Sequence, residues 1–94
     1  MARLVIAPQA FRDIGRLTDF LLESMPDAAI QTGALLIDGL SILKNHPFIG
    51  RKVEHGYREL LISRGRTGYV ALYTFDVARD IVTVLTIHHQ RENG

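Results

Sequence analysis

Between Lys44 and Tyr57 the hydrophobic repeat of this chain changes period, and that change limits the folds open to it. Upstream, apolar residues recur at helical spacing; downstream they alternate as in a strand. From Gln9 to Glu23 the positions Phe11, Ile14, Leu17 or Thr18, and Leu21 form a stripe that Ala10, Phe20 and Leu22 widen. Pro8 suits the first turn of such a helix, where its missing N–H costs nothing. Gly15 weakens the helix modestly but permits close packing against a neighbour. Ser24-Met25-Pro26-Asp27 reads as a restart, with Ser24 as cap, Pro26 at an early helical position and Asp27 at the positive end of the dipole. A second helix is predicted from about Pro26 to Lys44. Ile30, Gly33 or Ala34, Ile37, Leu40 or Ser41, and Lys44 mark one face, and Asn45 and Pro47 end it. So short a link predicts an antiparallel helical hairpin.

The alternating part holds three strands. Tyr57 to Ser63 carries Tyr57, Glu59, Leu61 and Ser63 on one face and Arg58, Leu60, Ile62 and Arg64 on the other. Arg64-Gly65-Arg66-Thr67-Gly68 reads as a turn, Tyr69 to Phe75 as the next strand, and Asp76 to Asp80 as a second turn. Ile81 to His88 is apolar on both faces as far as Thr86, the pattern of a strand inside a sheet. A further short run, Arg3 to Ile6, precedes the helices. The predicted fold is α+β, ordered βααβββ, with a helical hairpin on one face of a mostly antiparallel four-stranded sheet.

Ninety-four residues predict a single domain over 1–94. Hydrophobic residues make up 47% of the chain, too many for a disordered protein. The absence of cysteine excludes disulfides and thiolate metal ligands and fits a cytoplasmic protein. No apolar run approaches a membrane span, and the first residues lack the apolar core of a signal peptide, so no membrane role is expected. The net charge of +1 divides into −1 over residues 1–44 and +2 over residues 45–94. That is far too little for a general duplex-DNA binder.

Nine of the eleven basic residues are arginines, and most stand at turns and strand ends of the second half. A guanidinium stays charged and grips phosphate or carboxylate with a two-pronged fork. A GC-rich genome produces the same bias. The pattern suggests a sheet whose rim meets something anionic or a larger partner.

The chain resembles the RelE/ParE superfamily, the toxic half of bacterial type II toxin–antitoxin pairs. The residues that carry the likeness are Pro8-Gln9-Ala10, Leu43-Lys44-Asn45-His46-Pro47, Gly50-Arg51, Tyr57-Arg58-Glu59-Leu60, Gly68-Tyr69 with Tyr73, and Ile87-His88-His89-Gln90-Arg91-Glu92. Their order, over nearly the whole length, identifies the superfamily and not the target. The resemblance implies a cognate antitoxin whose C-terminal segment wraps the toxin, taken up in a groove beside the hairpin or along a sheet edge. It implies no cofactor and no metal. The target is DNA gyrase for ParE-like members and the ribosome with its mRNA for RelE-like ones. RelE-like members are endoribonucleases of the mRNA interferase type, whereas ParE-like members need no catalytic residue.

Cleavage of mRNA requires a base for the 2′-hydroxyl and positive charge for the pentavalent transition state. Arg64, just before the Gly-Tyr strand, and Arg91, in the tail, match where related toxins place such charges. His88 or His89 would be base or acid, because histidine titrates near neutral pH, and Glu59 is a second candidate base. Arg51, Lys52, Arg58 and Arg66 complete the set of candidate target- or nucleic-acid-binding positions. RelE-like enzymes also carry a lysine-rich patch and a C-terminal tyrosine. Here Lys52 is the one lysine after residue 44, and no tyrosine follows Tyr73. That places a ParE-like or unassigned toxin first, a RelE-like interferase second, and a non-toxic α+β binding module third. Structural readings stand beside the catalytic ones. Adjacent strand residues point to opposite faces, which argues against a His88–His89 metal pair and against an Arg58–Glu59 couple. Arg64 and Arg66 are equally read as a solvated turn, Tyr69 and Tyr73 as core, and the leucine-rich second helix as core.

Overall fold

The structure, a computed structural model, describes residues 1–64 and 67–90, with Phe20, Arg64 and Thr67 described by their backbone alone. Its elements are β1 (Arg3–Ile6), α1 (Pro8–Ser24), α2 (Pro26–Ser41), β2 (Arg51–Lys52), β3 (Arg58–Arg64), β4 (Thr67–Asp76) and β5 (Ile81–His89), with short 3-10 turns at Ile42–Lys44 and Glu54–Gly56. The sheet has five strands in the order β1-β5-β4-β3-β2. β1 runs parallel to β5 and the other pairings are antiparallel. The expected four-stranded sheet is therefore corrected to five. A two-residue strand has no alternation to read, and β2 becomes visible only through its register with Glu59 and Arg58.

Prolines set the hairpin. Pro8 and Pro26 each occupy the first turn of a helix, and neither helix has a side-chain N-cap bond. Ser24 was expected to cap the second helix; instead it ends α1, and Met25 alone makes the corner. A one-residue link leaves no room for a separate cap, and Met25 N–H instead closes α1 on the carbonyl of Leu21 at 2.6 Å. The α-helical geometry of the second helix stops at Ser41, and the predicted stretch to Lys44 continues as the 3-10 turn.

The hairpin covers one face of the sheet, α1 against β5 and α2 against β3. Leu17, Leu36, Leu40, Ile62, Tyr73, Val82, Val84 and Ile87 make the core between the layers. Gly39 lets α2 approach β3 closely: a Cβ there would lie 2.8 Å from Ile62 Cγ2. Every paired residue shares its partner's face, so Arg58, Leu60 and Ile62 look toward the helices and Glu59, Leu61 and Ser63 look away. Val5 and Leu61 are exposed on that uncovered face.

β5 carries a bulge. Leu72 pairs with Thr86 but Tyr73 pairs with Val84, so Leu85 is an extra residue that reverses the alternation beyond it. β1 ends beside this irregularity, with Ala7 N–H donating to Val84 C=O at 2.9 Å. Further along β5 the buried Asp13 carboxylate of α1 accepts from Ile87 N–H at 2.9 Å and from Gln9 Nε2 at 2.9 Å. A side chain thus satisfies a sheet donor where β1 no longer reaches, which matters because an unpaired buried donor costs about 1–3 kcal/mol. Among the described residues no helix is long and apolar enough to cross a membrane.

Candidate target-binding surface

The arginine-bearing rim is organised around one buried phenol. Tyr73, fully buried in β4, accepts a hydrogen bond from Gly50 N–H at 2.8 Å and donates one to the carbonyl of Pro47 at 2.9 Å. Burial pushes its pKa up, partly offset by the Gly50 hydrogen bond and by the charge of Arg58. The hydroxyl therefore stays protonated and both its hydrogen-bonding roles are already filled. Gly50 is required by this closeness: a Cβ there would lie 2.5 Å from the Tyr73 oxygen and 2.8 Å from the Glu59 carbonyl oxygen.

Arg58 locks the same turn from the other side. Its Nη1 donates to the carbonyls of Phe48 at 3.0 Å and Gly50 at 2.8 Å. Its guanidinium lies 5.1 Å from the centre of the Phe48 ring, which meets Phe75 edge-on at 5.1 Å. Arg58 is thus a structural clamp on residues 47–50. On the opposite face Arg51 Nη2 bonds Glu59 Oε1 at 2.7 Å across the β2–β3 pair. Lys52 stands in register with Arg58 at the sheet edge. A broad hollow of about 580 Å³ runs along this edge, lined by Arg51, Lys52, Glu54, His55 and Glu59 among others. Its mixture of charges suits a protein surface better than a polyanion.

The remaining candidates lie elsewhere. His88 pairs with Val70 and points to the uncovered face. His89 pairs with Tyr69, points to the helical side, and meets the Tyr69 ring edge-on at 5.3 Å. The two histidines therefore serve different faces. Glu59 shares the uncovered face with His88 but is two strands and two residues away, roughly 12 Å. Arg64 ends β3 opposite Thr67, at the same end of the sheet as the histidines, and is described by its backbone only. Arg66 and Arg91 lie outside the described residues. Sequence reasoning missed Asp13 and the acceptor role of Tyr73. The first had a signal, a carboxylate set inside the apolar stripe between Ala10 and Leu17. The second had only the Pro47-x-x-Gly50 spacing.

Comparison with known proteins decides the family. The model of the ParE toxin of type II toxin–antitoxin systems, parDE, matches residues 4–94. The chain is a member of the ParE toxin family. Its relatives include Toxin RelE3 of Caulobacter vibrioides, 34% identical over 92 residues and covering 98% of both chains. Toxin RelE1 of the same organism is 37% identical over 70 residues, covering 74% of this chain and 75% of its own length. The fold is also that of a chain in the chromosomal ParDE system from P. aeruginosa, with a TM-score of 0.78 at 19% identity over 95% of this chain and 96% of the other. A chain of the intact E. coli RelBE toxin–antitoxin complex superposes with a TM-score of 0.62 at 16% identity, covering 93% and 94%. Membership makes this chain a type II toxin of the RelE/ParE superfamily.

Proposed function

We propose that this toxin acts in the cytoplasm by binding its target, in the ParE manner with DNA gyrase as that target, rather than by cleaving RNA. The observation that carries the reading is the dispersal of the described acid–base candidates. Glu59 is held by Arg51, His88 and His89 serve opposite faces, and no two of these groups converge on one point. General acid–base chemistry needs both groups within hydrogen-bond reach of one substrate. A cognate antitoxin holds the toxin in check, as the ParDE and RelBE neighbours suggest. Its C-terminal segment adds along the outer edge of β1, which among the described residues has a strand neighbour on the β5 side only.

The test assays the purified chain in parallel against gyrase supercoiling and translating ribosomes. Trapped gyrase–DNA cleavage complexes with intact mRNA are expected, and growth arrest should survive Arg64→Ala and Arg91→Ala. Cleavage of mRNA at codon boundaries, lost in either variant, defeats the proposal. That outcome would establish the second reading, a RelE-like interferase, which the RelE name of both Caulobacter relatives favours.

A further inference from the structure

The turn that leads from the helical hairpin into β2 holds two large apolar side chains out of the protein. Phe48 and Ile49 are each 57% exposed. The backbone that carries them is fixed. Ile49 N–H donates to the His46 carbonyl at 3.1 Å, and the carbonyls of Pro47, Phe48 and Gly50 accept from Tyr73 or Arg58. Gly50 N–H donates to the Tyr73 oxygen in turn. Side chains of β3 and β4 thus hold the tip from both sides. A segment already ordered loses little conformational freedom on binding, so its exposed apolar area goes into affinity.

The charge around the tip is mostly of one sign. Residues 44–58 hold Lys44, Arg51, Lys52 and Arg58 against Glu54, in a chain whose net charge is +1. Arg51 is paired with Glu59 on the uncovered face. Arg58 bonds neutral carbonyls, which leave its charge uncompensated 5.1 Å from the centre of the Phe48 ring. Lys52 is exposed, stands in register with Arg58 and so shares its face, and among the described residues has no ion pair.

We propose that Phe48 and Ile49 enter an apolar pocket on the toxin's protein target, and that carboxylates on the rim of that pocket meet Lys52, with the charge of Arg58 behind it. The inference rests on the reading that this toxin acts by binding, and it names the surface that binds. An aromatic anchor on a rigid turn, ringed by charge of one sign, has the make-up of an interface hot spot and selects a partner of the opposite sign. Two other occupants fit less well. A second copy placed about a two-fold axis would set Lys52 and Arg58 against their own kind. A nucleic acid would find the Phe48 ring already covered by Arg58 on one face, and an isoleucine offers no ring on which a base can stack.

The test follows the full chain in two settings, trapping of purified gyrase on DNA and growth arrest on induction in cells. Ile49→Asp should raise the toxin concentration for half-maximal trapping by about tenfold or more, and Lys52→Glu by about threefold or more. Lys52→Arg keeps the charge and should act like the parent. Growth arrest should weaken in the same order, while circular dichroism and melting temperature show each variant folded as the parent is. A carbodiimide, which joins an amine to a carboxylate, should couple Lys52 to an Asp or Glu of gyrase, identified by mass spectrometry of the peptides. Arrest undiminished in Ile49→Asp, or equal in Lys52→Glu and the parent, overturns the proposal. A parent chain that leaves gyrase untouched, but whose arrest is lost in both variants, defeats gyrase as the target and upholds this surface. A parent chain that cleaves mRNA, with both variants still cleaving, defeats the two readings together.

Discussion

The rim at residues 47–59 and the outer face of the hairpin reverse the usual division of labour. At the rim a charged side chain is turned inward: Arg58 spends its guanidinium on the Phe48 and Gly50 carbonyls and on the Phe48 ring. On the hairpin, apolar side chains are turned outward, with Ile30 and Ile37 more than half exposed. Residue type alone therefore assigns neither region. An arginine at a turn is not by that fact a target contact, and an isoleucine in a leucine-rich helix is not by that fact core. What separates the two cases is where the backbone leaves carbonyls unpaired and where a second layer of structure is lacking.

The contrast is open to direct attack. The largest effect is expected from Tyr73→Phe, which strands the Gly50 N–H and the Pro47 carbonyl in a buried site and should cost about 3 kcal/mol in denaturant unfolding. The parent chain should also lose stability as pH rises past the ordinary tyrosine value of 10.0. The folded pKa is raised, so above that value the unfolded chain gives up the proton first, and unfolding is favoured until the folded group also titrates. Tyr73→Phe removes that alkaline decline, and comparing the two melting curves across pH isolates it. Gly50→Ala comes next, at about 2 kcal/mol, because its Cβ must displace the Tyr73 hydroxyl or the Glu59 carbonyl. An unchanged unfolding midpoint would mean that the turn is far looser than its contacts imply. Arg51→Ala breaks a well-exposed pair with Glu59 and should cost less than about 1 kcal/mol. The smallest effect belongs to the other region: Ile30→Lys should leave the unfolding of dilute protein within ~0.5 kcal/mol. A loss comparable with that of Gly50→Ala would place Ile30 in the core and collapse the comparison.

Much of the architecture was legible because period and punctuation are local. Pro8 and Pro26 marked both helix starts, and the two-sided apolar run at Ile81 marked an interior strand. The faces of β3 followed from plain alternation. The site was less legible. Alternation carried on unbroken from Val82 and Val84 would have sent His88 toward the helices, but the extra residue at Leu85 sends His89 there instead. A bulge changes one step of the register, and every side chain beyond it changes face. No residue type announces it.

Local chemistry was thus enough to determine two helices, three long strands, the faces of β3 and the family resemblance. Only the packed chain could decide the partners of residues distant in sequence: Tyr73 with Pro47 and Gly50, Asp13 with Ile87, β2 with β3. The reason is physical. Helical and strand periods act within a few residues, whereas a buried hydrogen bond is made wherever folding strands an N–H or a carbonyl away from water, and that place exists only once the layers have met.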